Sequence, residues 1–469
     1  MNHLSMNKKK VKELLLPFIV EERCSDKGEI SQIDWKIQDS TTYSALFFFM
    51  GSQPKEATFF SQYKVGLLIL NKKIENLSSD YIILKEEFFL QAQKILLDFF
   101  YPLPAHFKIV GITGSNGKTT TAHLAMQIAT QWGYPAVVVG TLGVYSISQI
   151  LRKESLTTPP LIELRKIFYE ICSTYQVCFL EVSSHALEQE RVFGLEFSQG
   201  AWTNFSQDHL DYHESMENYF LAKCKIFSYL AKDAKVFIPH EEVFLYQKLL
   251  GLFPSSIQQS EKLFCSKEDI PLFFKAKYNQ ANLDLAWSLN KQLWKEAKVV
   301  DLEKLNAPAG RFKINKIGEK LTIVDFAHTP DAIANICQGV KSSFPDFNIH
   351  IVFGCGGDRD KSKRALMGKV ALQYASKVYV TSDNPRGEDP QEIIKEIVKG
   401  MLPEIDSGIV EVIVERKQAL EKAFINLKSS DILLVLGKGH EDYQLIKGIK
   451  HPFNDELILK GLGKKYGFI

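Results

Sequence analysis

The stretch Gly111-Ile112-Thr113-Gly114-Ser115-Asn116-Gly117-Lys118-Thr119-Thr120 sets glycines, a lysine and two hydroxyls between an apolar run and a helix-forming one. Glycines at such a junction let backbone N–H groups close on phosphate oxygens, and the positive end of the next helix faces the same anion. Lys118 supplies a mobile cation for the β and γ phosphates of a nucleoside triphosphate, and the Thr119 hydroxyl an oxygen for Mg²⁺. The common spacing would put the first glycine at position 112, whereas this chain has Gly111 and Gly114. The reading is a variant phosphate loop, Gly114, Ser115, Asn116, Gly117, Lys118, Thr119 and Thr120, that takes ATP and Mg²⁺.

Two further clusters sit where strands should end. Glu181 comes near the end of the apolar run Val177–Val182, and Asp208-His209-Leu210-Asp211 follows Ala201–Phe205. Ligands of parallel sheets gather at the carboxyl ends of strands. Oxygen donors suit Mg²⁺, and an imidazole in the same shell is unusual but compatible. Taken alone, Glu181 is open between metal ligand and local ion pair, and His209 reads as a structural loop histidine.

A strand–loop–helix alternation must position these groups. Phe107–Thr113, Ala136–Gly140 and Val177–Val182 read as strands, with helices over Lys118–Trp132 and Pro160–Tyr175. Strands apolar throughout and separated by helices imply a parallel sheet covered on both faces. The alternation restarts after Asn306-Ala307-Pro308-Ala309-Gly310, with strands at Leu321–Phe326, Ile349–Gly354, Val378–Thr381, Val410–Val414 and Ile432–Leu436. Before it, short β-like runs (Ala45–Met50, Val65–Leu70, Tyr81–Leu84) end in the Tyr101-Pro102-Leu103-Pro104 linker, where proline blocks both helix and strand. The expected fold is α/β with three domains: a smaller N-terminal α/β domain (1–104), a central P-loop doubly wound sheet (105–308) and a C-terminal Rossmann-like sheet (309–469).

Composition narrows the class. With 469 residues, 45% hydrophobic and 24% charged, the chain is of multidomain soluble type. Its 57 basic and 55 acidic side chains nearly cancel, which argues against a nucleic-acid partner. No apolar run reaches the roughly 18–20 residues of a membrane span. The basic N-terminus is followed by Leu14–Val20, which contains Pro17 and runs into Glu21-Glu22-Arg23, a poor signal peptide. Seven scattered cysteines with no Cys-x-x-Cys pair point away from zinc and disulfides, toward a reducing cytoplasm. The expected partners are small molecules, and the expected state is a monomer.

Together, Gly114–Thr120, Glu181-Val182-Ser183-Ser184-His185, Asp208-His209-Leu210-Asp211-Tyr212-His213 and Asp325-Phe326-Ala327-His328-Thr329-Pro330-Asp331 resemble the Mur ligases of peptidoglycan synthesis. Within that family the pattern is nearest to the ligases that add the third residue of the stem peptide. The resemblance implies a two-step reaction. The γ-carboxylate of D-glutamate in UDP-MurNAc-L-Ala-D-Glu takes the γ-phosphate of ATP, and the amine of a diamino acid then displaces phosphate. It further implies Mg²⁺ ligands at Thr119, Glu181 and His209, and at Lys223 once carbamylated, with Lys118, Glu181, His209 and Lys223 as the catalytic set. Asn279 and Asn282 would lie around adenine, and Arg311 and Asp325 would reach ATP from the third domain.

For the UDP-linked peptide the matching positions are Ser40, Thr157, Thr158, Ser183, Gln189 and Arg191. The N-terminal domain departs from the family: Asp39-Ser40 is followed by Thr41 rather than arginine, and Gly51-Ser52-Gln53-Pro54-Lys55-Glu56 lacks an Asp-Gly pair. Asp383-Asn384-Pro385-Arg386, with Arg359, Gly437 and Glu441, matches the pocket of relatives that use meso-diaminopimelate; lysine-adding relatives lack the arginine. The rivals are a lysine-adding enzyme, a folylpolyglutamate synthase-like ligase, a P-loop motor or switch, and a non-catalytic scaffold.

Overall fold

The computed structural model describes residues 4–50, 56–153, 156–263, 270–402, 404 and 407–468, so Gly51–Lys55 lie outside the described residues. The chain falls into two compact units: Met1–Lys108 with Thr158–Val177 and Ala186–Glu196, and Ile109–Thr157 with Cys178–His185 and Phe197–Ile469.

The first unit is built on a five-stranded sheet in the order Ile19–Arg23, Tyr81–Leu84, Leu67–Leu70, Ser44–Phe48, Gln32–Asp34. All neighbours are parallel except Ile19–Arg23, which runs antiparallel at one edge. Leu67–Leu70 is central and buried at every position, which is why its sequence shows no polar alternation. The helix Phe89–Phe100 was not legible as a helix among the β-like runs, yet it buries Phe89, Ala92, Leu96, Leu97 and Phe100, a helical period. It shares a core with Leu161 and Ile162 of the helix Leu161–Ile171. Two ion pairs tie that helix down, Arg165 to Asp98 at 2.6 Å and Lys166 to Asp34 at 2.6 Å.

The second unit holds two larger sheets. One has eight strands in the order Ile150–Arg152, Gly143–Tyr145, Ala136–Gly140, Val177–Glu181, Lys108–Thr113, Gln199–Trp202, Val236–Ile238, Ile257–Gln259. Its first two strands pair antiparallel, an edge hairpin that the sequence reading did not contain. The other has six strands in the order Lys313–Ile317, Lys320–Asp325, Asp431–Leu436, Asn348–Phe353, Lys377–Val380, Val410–Val412, parallel apart from the first. Observed strands match the expected ones to within a few residues. The largest difference is at Ala201–Phe205, where the strand ends at Trp202, so Thr203–Phe205 are loop. The mixed α/β architecture with mostly parallel sheets is as expected.

The helix Lys118–Gln131 shows how the core is assembled. Nearly every position from Thr119 to Ala129 is buried, so it has no polar stripe. It packs between its sheet and the long helix Lys277–Trp294, whose Asn290 amide donates to the Ala125 carbonyl at 3.0 Å. A helix enclosed this way is rigid, and its N-terminus is a fixed point.

Candidate active site

The phosphate loop is shaped by sterics. Gly114 has φ +140° and Gly117 φ +83°, values that L side chains rarely adopt. A Cβ on Gly114 would meet the Thr203 hydroxyl, and one on Gly117 would lie 2.6 Å from Asn282 Oδ1. Gly117 is the N-cap of Lys118–Gln131 and brings no capping side chain. The first-turn N–H groups of that helix therefore face the loop without a side-chain acceptor, an arrangement open to an anion. Lys118 Nζ folds back onto the loop, donating to the Gly114 carbonyl at 2.8 Å and the Ser115 carbonyl at 3.0 Å. Burial pushes its pKa down, against the pull of Glu181 and Asp208.

Beside the loop, Thr119 Oγ1 donates to Glu181 Oε2 at 2.8 Å, and the Thr141 hydroxyl reaches the same oxygen at 3.1 Å. Glu181 is fully buried at the end of its strand. His209, in the left-handed region at φ +56°, stands over His185 with ring centroids 4.8 Å apart. Burial pushes its imidazole down to about 3 against the pull of Asp208, with His185, Lys118 and Lys223 adding to the fall. The ring is thus neutral at physiological pH, as a metal ligand must be. Lys223, 1% exposed, donates to the Gly114 carbonyl at 3.0 Å. Among the described residues no three His, Cys, Asp or Glu side chains converge as a metal-binding group. The expected quartet has only two members of those types, Glu181 and His209, and an amine holds no Mg²⁺ unless it is converted to an anion.

The six-stranded part contributes from the opposite side. Arg311 Nη2 lies 3.4 Å from Thr119 Oγ1, and its guanidinium covers the Phe326 ring at 4.5 Å. Its buried Nε has no hydrogen-bond partner among the described residues. Asp325 accepts from the Phe312 and Ala327 backbone N–H groups, both at 2.7 Å. Asn116 Nδ2 reaches Thr329 Oγ1 and Asp331 Oδ2, each at 3.3 Å. Lys363 Nζ pairs with Asp208 Oδ1 at 2.9 Å, both side chains buried. Burial pushes Asp208 up, but the His328 hydrogen bond and neighbouring His209 and Lys363 outweigh it and hold the carboxyl well below its usual range.

Farther along, Arg386 takes φ +51° and is pinned by its backbone between Leu445 and Lys447. Its Nη1 donates to the Gly357 carbonyl at 2.8 Å. Burial, then the charge of Arg359, pushes its pKa down. Asn384 Nδ2 donates to Glu441 Oε2 at 2.8 Å. Asp383 is buried and raised in pKa by burial, opposed by Lys438 and Arg416. Four non-glycine residues around the site, His209, Phe312, Asp358 and Arg386, hold positive φ. Such strain, about 1–3 kcal/mol each, persists only where the surroundings over-determine it.

Most of these groups open on a single cavity of about 670 Å³. It is lined by Ser115–Thr120, Glu181 and His209, by Asn279, Asn282, Arg311 and Asp325, and by Arg359, Asp383, Asn384, Arg386, Gly437 and Glu441.

The comparisons with known proteins agree with that geometry. Residues 112–262 match the Mur ligase middle domain, and residues 310–439 the Mur ligase glutamate ligase domain. A UDP-N-acetylmuramoyl-L-alanyl-D-glutamate–2,6-diaminopimelate ligase of Aquifex aeolicus is 36% identical over 395 residues, 77% of this chain and 79% of its own. The one from Clostridium botulinum is 33% identical and covers 97% of this chain and 99% of its own. The chain belongs to the Mur ligase family. Solved structures give the same fold: one bearing that ligase name aligns at TM-score 0.62 and 24% identity, over 99% of this chain and 100% of that one. A MurF ligase from Thermotoga maritima in complex with ADP aligns at TM-score 0.62 and 13% identity, over 93% of this chain and 98% of that one.

In the ligase, most residues singled out from sequence meet in the one cavity, Thr157 among them. Lys223 does not line it but lies beneath the phosphate loop, and half-buried Ser183 is also outside its lining. Pro385 is likewise off the wall; its carbonyl backs onto Gly357. Asn282 sits against Gly117 and accepts from Thr121 Oγ1 at 3.1 Å. In the first unit, Ser40 donates to the Ile37 carbonyl at 2.6 Å, and Arg191 holds the Thr158 carbonyl at 2.8 Å and Gln189 Oε1 at 2.7 Å. Sequence reasoning quoted Asp208 but missed its buried partner Lys363, and it gave Lys438 no role. Lys363 lies four residues after Arg359, and Lys438 is inside the quoted Gly437–Glu441 run, so both were in view without a sign of their burial. Among the described residues no helix is long and apolar enough to cross a membrane, and six cysteines are free.

Proposed function

We propose that the chain is an ATP-dependent acid–amino-acid ligase that joins meso-2,6-diaminopimelate to the D-glutamate γ-carboxylate of UDP-MurNAc-L-Ala-D-Glu. ADP and phosphate are the other products, and the reaction belongs to peptidoglycan precursor synthesis. The observation that carries the reading is that one cavity is lined both by the phosphate loop and by two arginines with acidic groups. A carboxylate is a poor electrophile at neutral pH, so it is phosphorylated to an acyl phosphate before the amine attacks. Lys118 and the helix N-terminus neutralise the γ-phosphate during transfer, and Arg311 adds a charge from the other side. Arg359 and Arg386 take the carboxylate of the amino acid not used in bond formation, and Asp383, Asn384 and Glu441 take the ammonium beside it.

The donor set fits a hard divalent cation: Thr119 and Glu181 offer oxygens, and His209 a neutral nitrogen. Thr119, Glu181, His209 and carbamylated Lys223 would hold Mg²⁺, which supplies charge neutralisation among crowded phosphate oxygens. Contacts to the UDP-linked peptide are assigned to Ser40, Thr157, Thr158, Ser183, Gln189 and Arg191. The division into three domains at 104 and 308, a monomeric state and action in the cytoplasm belong to the same proposal.

The test is ADP release measured with and without UDP-MurNAc-L-Ala-D-Glu across a panel of amines. Turnover should need both substrates and favour meso-diaminopimelate over L-lysine. Preference for L-lysine, or ADP release with no carboxylate acceptor present, would overturn the reading.

A further inference from the structure

Behind the amine end of the cavity lies a lysine with no part in the reaction so far. Lys438 is 0% exposed and, unlike Glu441, Asp383 and Asn384, does not line the cavity. Its Nζ is 3.0 Å from Glu441 Oε2, 3.3 Å from Asn384 Oδ1 and 3.6 Å from Asp383 Oδ1. Asn384 closes the figure by donating its Nδ2 to that Glu441 oxygen at 2.8 Å. The Asn384 oxygen also accepts from the Leu445 N–H at 2.9 Å, so the amide has only one orientation that satisfies all its partners. The Tyr443 and Phe453 rings lie 5.8 and 6.0 Å from the same lysine nitrogen.

Two carboxylates in a buried pocket repel, and one takes a proton unless a cation intervenes. Arg416 also draws the Asp383 carboxyl down by its charge, but its Nε and Nη2 bond Asp455 at 2.9 and 2.7 Å, which matches its charge with that carboxylate. Lys438 is the cation that touches all three pocket groups. Two carboxylates against one ammonium leave one formal negative charge, the complement of a single substrate ammonium. Arg359 and Arg386 beside them complement a carboxylate, so the wall matches a zwitterionic amino-acid head.

We infer that Lys438 is the positioning residue for the ammonium remote from the new bond, acting through Glu441 and Asn384 without touching substrate. The inference rests on the diaminopimelate reading above. It is tested by comparing meso-diaminopimelate with 2-aminopimelate, which has the same chain and both carboxylates but lacks the remote amine. Wild type should favour diaminopimelate. Lys438→Met should raise KM for diaminopimelate roughly 10- to 100-fold, the cost of a lost charged hydrogen bond. Its kcat at saturation, and KM for ATP and the UDP-linked peptide, should stay within about threefold, and the preference over 2-aminopimelate should shrink by the same factor as KM rises. Lys438→Arg should keep part of the preference. Equal loss with both amines, or an unchanged KM for diaminopimelate, overturns the inference. Lys438→Gln carries the same comparison if melting shows that Lys438→Met does not fold. If wild type favours a different amine, the substrate reading fails on its own, and Lys438 is judged by the same ratio between that amine and its analogue lacking the remote amino group.

Discussion

Lys118 and Lys223 share one acceptor: both side-chain nitrogens lie on the carbonyl oxygen of Gly114, at 2.8 and 3.0 Å. Two ammonium groups so placed repel, and one relieves the strain by losing its proton. Burial, then the charge of Lys118, pushes the Lys223 pKa well below the usual lysine range, with only Asp208 opposing. Lys118 is pushed down by burial as well, but is pulled back by Glu181 and Asp208, so Lys223 is the amine more disposed to shed its proton, and a neutral amine is what adds to CO₂.

Lys223→Ala should therefore abolish ligation, and short carboxylic acids should restore part of it by standing in for the carbamate. Lys223→Arg should fail without rescue, because guanidinium cannot become an anionic ligand. The check is ligation rate with and without added acid. Near-normal activity in the alanine variant removes Lys223 from the mechanism.

The same burial has a consequence for stability. A lysine whose folded pKa is depressed binds fewer protons folded than unfolded, so its contribution is unfavourable at low pH and fades as pH rises toward the unfolded value near 10.5. In enzyme freed of bicarbonate and metal, Lys223→Met should melt higher than wild type at pH 7, with a gain that narrows toward pH 10. A gain independent of pH would show that the lysine is charged in the folded protein.

Lys118→Ala should slow acyl-phosphate formation by about 10²- to 10³-fold, since it leaves developing charge uncompensated in a desolvated site. Positional isotope exchange in ATP, with the UDP-linked peptide present, reads that step directly. Exchange at the normal rate would contradict the role.

Lys363 and Asp208 join the two sheets of the second unit through a buried ion pair at 2.9 Å. Breaking such a pair from one side costs about 3–5 kcal/mol, because the remaining charge stays buried. Lys363→Met should lower the melting temperature sharply, and Lys363→Met with Asp208→Asn should recover part of the loss. Additive losses would mean that the pair is not coupled.

What the sequence disclosed divides along physical lines. The phosphate loop was legible as a local pattern where strand periodicity gives way to helix, whereas Glu181 and Arg386 were singled out through the family resemblance, each being open to an ordinary ion-pair or turn reading when taken alone. Lys363 and Lys438 were not, because their significance lies in burial against partners 155 and 54 residues away. The helix Phe89–Phe100 was obscured by a different effect: its apolar residues crowd both ends, and packing against Leu161 and Ile162 reveals the buried stripe. The antiparallel hairpin at Gly143–Arg152 was obscured because its outer strand is largely exposed and carries no buried alternation.

The most discriminating prediction concerns Arg386. Its guanidinium is anchored at one nitrogen by the Gly357 carbonyl at 2.8 Å, and its backbone is held at φ +51° by hydrogen bonds to Leu445 and from Lys447. Arg359 stands close enough to depress its pKa, so two cations face one cavity with no carboxylate paired to either among the described residues. Diaminopimelate differs from lysine by one carboxylate, which these cations would receive. Removing one partner of a desolvated charge pair costs about 2–5 kcal/mol, roughly 30-fold to several thousand-fold in kcat/KM. Arg386→Ala should lose that much with meso-diaminopimelate while leaving the affinities for ATP and the UDP-linked dipeptide nearly unchanged. Arg386→Lys should recover only part, because an ammonium cannot hold Gly357 and a carboxylate in the same planar fork. Full retention of the preference for meso-diaminopimelate over lysine in Arg386→Ala would remove this arginine from the pocket.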